Sequence, residues 1–284
     1  MIADRDYEFL LDKIKRNRNI DLSQYRRAVL KRRIQHRLFA MKCDTYMDYV
    51  MLLNKDPNEY DLLIETLTIK ASEFFRDSKV FDILGARVIP EIVFAKQARG
   101  VNKIRAWSCG AAYGEEAYST AILFCEVLGR SLDRFDIEIV ATDIDKSALQ
   151  RAPWGAYDKR SLRSVSTPLL FKYFTRVGDR YVVSDKARSF IKFRYHDIVS
   201  DNTLPGMDLI QCKNLLIYFE KELQDKVVHK LHTALNPDGF LVLGNTESIA
   251  FEMRDYFEVV DLARRIYKKR SASTNPIYRE GRAR

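Results

Sequence analysis

The stretch from Trp107 to Ser119, WSCGAAYGEEAYS, is where residue types and spacing in this chain first suggest chemistry. Gly110, Ala111, Ala112 and Gly114 are small enough for the backbone to approach a ligand closely, and a helix opening near Glu115 presents unpaired N–H groups to a carboxylate or phosphate. The spacing departs from the G-x-G-x-x-G dinucleotide fingerprint, so NAD binding is not read from it. Taken alone, the loop specifies a tight turn from strand to helix. The next apolar run ends in ATDID, which places Asp143 at the C-terminal edge of a strand, beside that loop if the two strands are neighbours. A carboxylate there can accept both hydrogen bonds of a ribose diol. Helix capping is the alternative role for Asp143 or Asp145, but strand, loop, helix, strand and acid in succession favour an adenosine ligand.

Other chemistry-bearing residues are sparse. His229 and His232 share a helix face with no third ligand nearby, so no metal site is expected; His36 and His196 stand alone. Cys43, Cys109, Cys125 and Cys212 form no C-x-x-C pair and fit reduced core thiols better than a disulfide frame or a zinc site. No run approaches the roughly 20 apolar residues of a membrane span, and the N-terminus lacks the basic-then-apolar order of a signal peptide. A cytosolic protein without membrane insertion is expected.

Periodicity defines the elements that must position these residues. Residues 1–68 show helical patterning only: Leu30, Ile34 and Leu38 stack on one face of a helix that Asp21 or Ser23 can cap, and Asp44 or Thr45 can open another helix through Leu53. From residue 103 the pattern changes to short β-rich runs separated by helix-length segments: KIRAWS, IEIVAT, FIKFRY, MDLIQC and FLVLG. That alternation predicts an α/β domain with a mainly parallel sheet. YFEVVDLARRIYKK predicts a closing antiparallel hairpin that turns at Asp261 and Leu262. Between Gly155 and Ser189 the chain exceeds a simple crossover, and YFTRVGDRYVV predicts an inserted hairpin around Gly178 and Asp179. The tail after Arg270 is polar and expected to be flexible.

Net charge is +9, which first suggests a nucleic-acid partner. The excess sits at the ends: eleven basic residues face one acid between Lys13 and Lys42, and six face Glu280 from Lys268 onward, so the bulk of the chain is acidic. At about 100° per residue, Arg26, Arg33 and Arg37 fall in a narrow arc beside the apolar face of their helix. A solvated helix face and a binding edge for an acidic partner are both open readings.

Five segments carry a more specific resemblance. SEFFRD (72–77), WSCGAAYGEEAYS, ATDID, QCKNLLIYF (211–219) and LGNTES (243–248) occur in the order and approximate spacing of the CheR family of chemoreceptor glutamate methyltransferases, and the similarity covers nearly the whole chain. The resemblance implies a Rossmann-like S-adenosylmethionine-dependent methyltransferase fold: a seven-stranded, mostly parallel sheet with an antiparallel edge hairpin, a small all-α N-terminal domain and an inserted antiparallel β-subdomain. The implied organisation is a helical domain over 1–68, a linker covering the cofactor over 69–90, a methyltransferase domain over 91–270 with its insert at about 155–189, and a flexible tail over 271–284.

The implied cofactor is S-adenosylmethionine, with S-adenosylhomocysteine as product and no metal. The implied partner is the cytoplasmic helical region of methyl-accepting chemoreceptors, with no nucleic acid involved, and the enzyme is expected to be a monomer. Ser72 and Arg76 resemble linker residues that close over the cofactor, Arg76 near the transferred methyl group. Gly110 belongs to the cofactor loop, Glu115 is similar to an acid meeting the methionine part, and Asp143 to the acid holding the ribose. Asp197 and Ile198 match the adenine pocket, Lys213 and Asn214 an Arg-Asn pair at the cofactor, and Tyr218 an active-site tyrosine. Arg26, Arg33 and Arg37 would bind the receptor. The chain departs from the family at Lys70 and Asp197, each usually Asn, and at Lys213, usually Arg, where a planar fork for bidentate contact is lost. A nucleic-acid methyltransferase, suggested by a pI near 9.3, and a cofactor-binding signalling module without transfer activity are the competing readings.

Overall fold

The computed structural model describes residues 2–68 and 72–270, so the expectations for Lys70 and for the 271–284 tail lie outside the described residues. The helical patterning of the N-terminal segment becomes α1 (Ile2–Arg18), α2 (Arg27–Ala40), α3 (Tyr46–Lys55) and α4 (Glu59–Leu67). Their apolar faces share one core: Tyr7, Leu10 and Ile14 of α1 meet Leu30, Ile34 and Leu38 of α2 and Tyr49, Leu53 and Leu63 from the other two helices. α3 opens on a capping box, in which Thr45 Oγ1 accepts from Asp48 N at 3.1 Å while Thr45 N donates to Asp48 Oδ2 at 3.0 Å. α2 begins later than expected. Asp21 accepts from Ser23 N at 2.9 Å in a local turn, and the backbone holds off helix until Arg27 because Tyr25 pairs in an antiparallel bridge with Phe219.

α5 (Ser78–Ile83), a π-helical turn (Leu84–Val88) and α6 (Ile89–Ala98) lead to the second domain. There β1 (Lys103–Cys109), α7 (Glu115–Leu128), β2 (Asp136–Asp143) and α8 (Lys146–Arg151) precede the insert. The insert holds β3 (Ala156–Tyr157), α9 (Thr167–Tyr173), β4 (Phe174–Val177), β5 (Arg180–Val183) and α10 (Asp185–Arg188). β6 (Ile191–Tyr195), β7 (Met207–Cys212), α11 (Lys221–Ala234), β8 (Leu235–Leu243), β9 (Phe257–Asp261) and β10 (Ile266–Lys269) complete the fold.

The main sheet has seven strands in the order β6-β2-β1-β7-β8-β10-β9. The first five run parallel, and β10 and β9 form the antiparallel edge. This is the Rossmann-like methyltransferase architecture expected from the sequence. The edge turn is longer than expected: four residues, Leu262 to Arg265, separate the strands, with Arg265 in the left-handed region at φ 55°. In the insert, β4 and β5 form the hairpin around Gly178, and β3 adds a third strand too short to be visible in the sequence.

β7 is buried at all six positions, as a central parallel strand covered on both faces must be. One apolar layer packs under α5, α6 and α7 and a second under α11. The chain builds outward from β1 through β2 to β6, then returns to place β7 on the other side of β1. That reversal opens a crevice outside the carboxyl ends of the central strands.

Candidate functional site

The crevice is a cavity of about 300 Å³ lined by residues from both domains. Cys109, Gly110, Ala111 and Ala112 enter it after β1, Asp143 and Ile144 after β2, His196, Asp197 and Ile198 after β6, and Lys213, Asn214 and Tyr218 after β7. Ser72 and Arg76 reach it from the linker, and Tyr25 and Thr68 from the helical domain.

The loop after β1 is fixed by the end of β2. Gly110 N and Ala111 N both donate to Thr142 O at 2.9 Å, and the indole of Trp107 donates to Thr142 Oγ1 at 2.9 Å. At Gly114, φ is +96° and an added Cβ would lie 2.8 Å from the Phe193 ring, so the helix can start here only from glycine. Asp143 accepts from Ala112 N at 2.8 Å through Oδ2 and from Asp145 N at 2.9 Å through Oδ1. Burial pushes its carboxyl up, and those two N–H groups oppose the rise. An ionised carboxylate offers about four lone-pair positions, which the N–H groups of Ala112, Asp145 and Ile144 do not exhaust, so Asp143 can accept from a further donor. A hydroxyl of a vicinal diol is such a donor.

Adjacent glutamates open α7, and the helix sends them to different places. Glu116 enters the cavity: its Oε1 accepts from Ser108 Oγ at 3.0 Å and its Oε2 lies 3.4 Å from Lys213 Nζ. Glu115 is turned about 100° away into a neighbouring cavity beside Tyr113, Trp154 and Tyr157. Of the two glutamates, Glu116 lines the first cavity and Glu115 the neighbouring one, and Ser72 lines both. Glu115 is 3% exposed, and burial pushes its carboxyl up to about 7 despite a hydrogen bond with Ser72.

Lys213 is a bridge between walls. Besides Glu116, its ammonium lies 3.7 Å from Asp77 Oδ2, donates to Arg76 O at 3.3 Å and stands over the Phe81 ring at 5.3 Å. The linker is held in turn by Phe75 N donating to Ser119 Oγ at 2.9 Å and Phe74 N to Ser161 O at 2.9 Å. Phe75 and Asp77 both adopt left-handed backbone at φ 51° and 60°, strain of the kind stored around functional sites. Each oxygen of Asp197 accepts one hydrogen bond from its own turn, Oδ1 from Val199 N at 2.9 Å and Oδ2 from Ser200 Oγ at 2.8 Å.

Two contributors escaped the sequence reading. Glu247 lies in the LGNTES segment that carried the resemblance, yet no role was read for it. Its carboxylate, 4% exposed, accepts from Gly244 N at 2.6 Å, Asn214 N at 3.0 Å and Ile217 N at 3.3 Å, pinning the loop after β7 to the end of β8. Burial pushes its pKa up, against those N–H groups. Tyr25 comes from the helical domain and carried no signal at all.

The basic edge of α2 is also different from the expectation. Arg37 makes a two-pronged pair with Glu59 at 2.8 and 2.6 Å, and Glu59 is 1% exposed and also accepts from Tyr49 Oη at 2.6 Å. Arg37 therefore belongs to the helical-domain core. Arg33 donates to Thr66 O at 2.7 Å and stands 6.0 Å from the Tyr218 ring, and Arg26 Nε donates to Phe219 O at 3.3 Å. Arg33 and Arg37 are partly buried against these partners while Arg26 remains exposed, so the three do not form one uniform outward stripe. Tyr218 is half-buried, which pushes its hydroxyl up, with Arg33 and Arg76 opposing. Among the described residues, no three His, Cys, Asp or Glu side chains are grouped to hold a metal ion. No helix of the described residues is long and apolar enough to cross a membrane.

A parallel sheet with a reversed edge hairpin, a small-residue loop after β1 and an acid after β2 place this protein among the S-adenosylmethionine-dependent methyltransferases. The chain belongs to the CheR methyltransferase family: residues 70–266 match the CheR methyltransferase SAM binding domain and residues 5–68 the CheR methyltransferase all-alpha domain. It is 34% identical over 251 residues to the chemotaxis protein methyltransferase of Listeria monocytogenes, covering 88% of this chain and 93% of that one. It is 30% identical over 256 residues to chemotaxis protein methyltransferase 2 of Vibrio cholerae, covering 88% of each.

Proposed function

We propose that this protein works in chemotaxis, in the cytosol and as a monomer, by methylating glutamate side-chain carboxylates in the cytoplasmic helical region of chemoreceptors. The observation that carries the reading is the gathering of Arg76 and Tyr218 in one cavity with Asp143, Asp197, Ile198 and Asn214. The names of its relatives point the same way. When bound, S-adenosylmethionine supplies a methyl group activated by its sulfonium. Asp143 would hold the ribose through its remaining acceptor capacity, Asp197 and Ile198 the adenine end, and Gly110 would let the backbone come close. Ser72, Glu116, Lys213 and Asn214 would surround the methionine end.

The chain's own residues need do little chemistry. A glutamate with an ordinary pKa of about 4.3 is already ionised at neutral pH, so no side chain has to act as base. Arg76 supplies positive charge to orient that carboxylate. Tyr218 keeps its proton at neutral pH and can donate to the same oxygens. Holding the reacting atoms in line is worth about 7 kcal/mol or more in well-oriented systems. Replacement of the family's Arg by Lys213 is accommodated, because Asp77 and Glu116 flank its ammonium. Receptor contact through α2 would use the solvent-facing Arg32 and His36 and the exposed part of Arg26, with Arg33 behind Tyr218 and Arg37 holding the helix in place.

The test is incubation with methyl-labelled S-adenosylmethionine and receptor cytoplasmic fragments. Base-labile methyl esters on glutamate are expected. Tight S-adenosylhomocysteine binding without transfer to any receptor fragment would instead indicate a cofactor-binding signalling module.

A further inference from the structure

The helical domain touches the methyltransferase domain at the segment that carries Tyr218. Arg26 N donates to Tyr218 O at 2.8 Å and Glu220 N to Gln24 O at 2.9 Å, flanking the Tyr25–Phe219 bridge like a short two-stranded clamp. The Tyr25 ring meets Phe219 edge to face, with centroids 4.8 Å apart and planes at 80°. Phe219 is fully buried, so it fixes the orientation of Tyr25. Tyr25 lines the cavity. Asp143 and Asp197 line the same cavity as Tyr25.

Tyr25 is partly buried, and a tyrosine in such a position usually finds a hydrogen-bond partner for its hydroxyl. The Tyr25 hydroxyl makes no hydrogen bond with any described residue, although the backbone on either side of it is paired. A ring held by edge contact and clamp, in a cavity it shares with Asp143 and Asp197 and with no protein partner for its polar tip, is the arrangement of a ligand contact. Packing alone would be served equally well by phenylalanine.

We propose that Tyr25 is a cofactor-binding residue supplied by the helical domain, contacting the adenosine half of S-adenosylmethionine, so that displacement of this domain from the 218–220 segment weakens cofactor binding. This rests on the adenosine end lying at Asp143 and Asp197. The domain is then part of the cofactor site, and a protein docking on it alters cofactor affinity without touching the cofactor.

Calorimetric titration of the full chain with S-adenosylhomocysteine, and with 5′-methylthioadenosine, which lacks the amino-acid part, tests this. Tyr25→Phe should weaken both ligands about 5-fold, the worth of one hydrogen bond. Tyr25→Ala should weaken both about 30-fold, as the aromatic contact goes too. Cofactor binding by the unchanged chain should slow amide exchange at residues 24–26 as well as at 109–112. Binding of both ligands by Tyr25→Phe within 2-fold of the unchanged chain, or no slowing at 24–26, overturns the proposal. Should Tyr25→Ala fold poorly, Tyr25→Phe and the exchange measurement decide alone. If the unchanged chain binds neither ligand, the cofactor reading itself fails, a result distinct from a normal titration left unmoved by the variants.

Discussion

Replacing Glu115 with glutamine should make the protein more resistant to unfolding at pH 8 than the unchanged chain, and the advantage should vanish in acid. Glu115 is 3% exposed, and burial raises its carboxyl from 4.5 to about 7. The folded state therefore binds the proton more tightly than the unfolded state. The stability that this preference contributes is fully present below about pH 4.5 and is lost as pH rises through about 7. A shift of this size corresponds to roughly 3 kcal/mol between the two limits. Glutamine matches the shape, keeps an acceptor for Ser72 and cannot ionise. Urea unfolding of both proteins at half-unit steps from pH 4.5 to 8.5 measures the difference between them, in which the contributions of Asp143 and Glu247 cancel. The difference should move toward the glutamine variant by about 3 kcal/mol over that range. A difference constant to within about 0.5 kcal/mol would refute the reasoning, because Glu115 would then be ionised in the fold at no cost. S-adenosylhomocysteine affinity should change little, because Glu115 faces the neighbouring cavity.

Other expectations follow from the same geometry. Asp143→Asn removes an acceptor and sets an amide N–H₂ against a backbone N–H, so S-adenosylhomocysteine affinity by calorimetry should fall about 50-fold. Arg37→Ala leaves the Glu59 carboxylate buried without its cation and should lower stability by about 3 kcal/mol in urea titration, while cofactor affinity of the folded fraction stays unchanged. Gly244→Ala places a Cβ 2.6 Å from Glu247 Oε2 and 2.9 Å from Asn214 N. It should lower the thermal midpoint and the methyl-transfer rate together, measured by calorimetric scan and by label incorporation.

Legibility differed between levels of structure. The mainly parallel sheet was accessible because β-rich runs alternate with helix-length segments from residue 103 onward, and Asp143 followed from its place at a strand end, whereas the strand order came only with the structure. The choice between Glu115 and Glu116 was not accessible. Both sit in the same motif, and one step of a helix decides which enters the cavity. The fate of Arg37 was hidden for another reason. A helical wheel places an arginine beside the apolar face without revealing that Glu59, 22 residues later, is buried to receive it. Asp21 and Ser23 carry good capping chemistry, but α2 starts only at Arg27 because the Tyr25–Phe219 bridge commits the intervening backbone. Such pairings across the chain leave no local periodicity.

The bridge and the Glu247 latch bear on how this enzyme comes into being on the ribosome. One wall of the cavity is contributed by residue 25, and its opposite loop is locked by residue 247. The helical bundle is made of local contacts and can condense early during synthesis, at about 5–20 residues per second. The cavity cannot close until LGNTES has left the exit tunnel, about nine seconds later at the faster of those rates. Cofactor binding should therefore be among the last properties acquired in translation. A nascent chain halted before Glu247 would carry a finished helical domain and no competent active site.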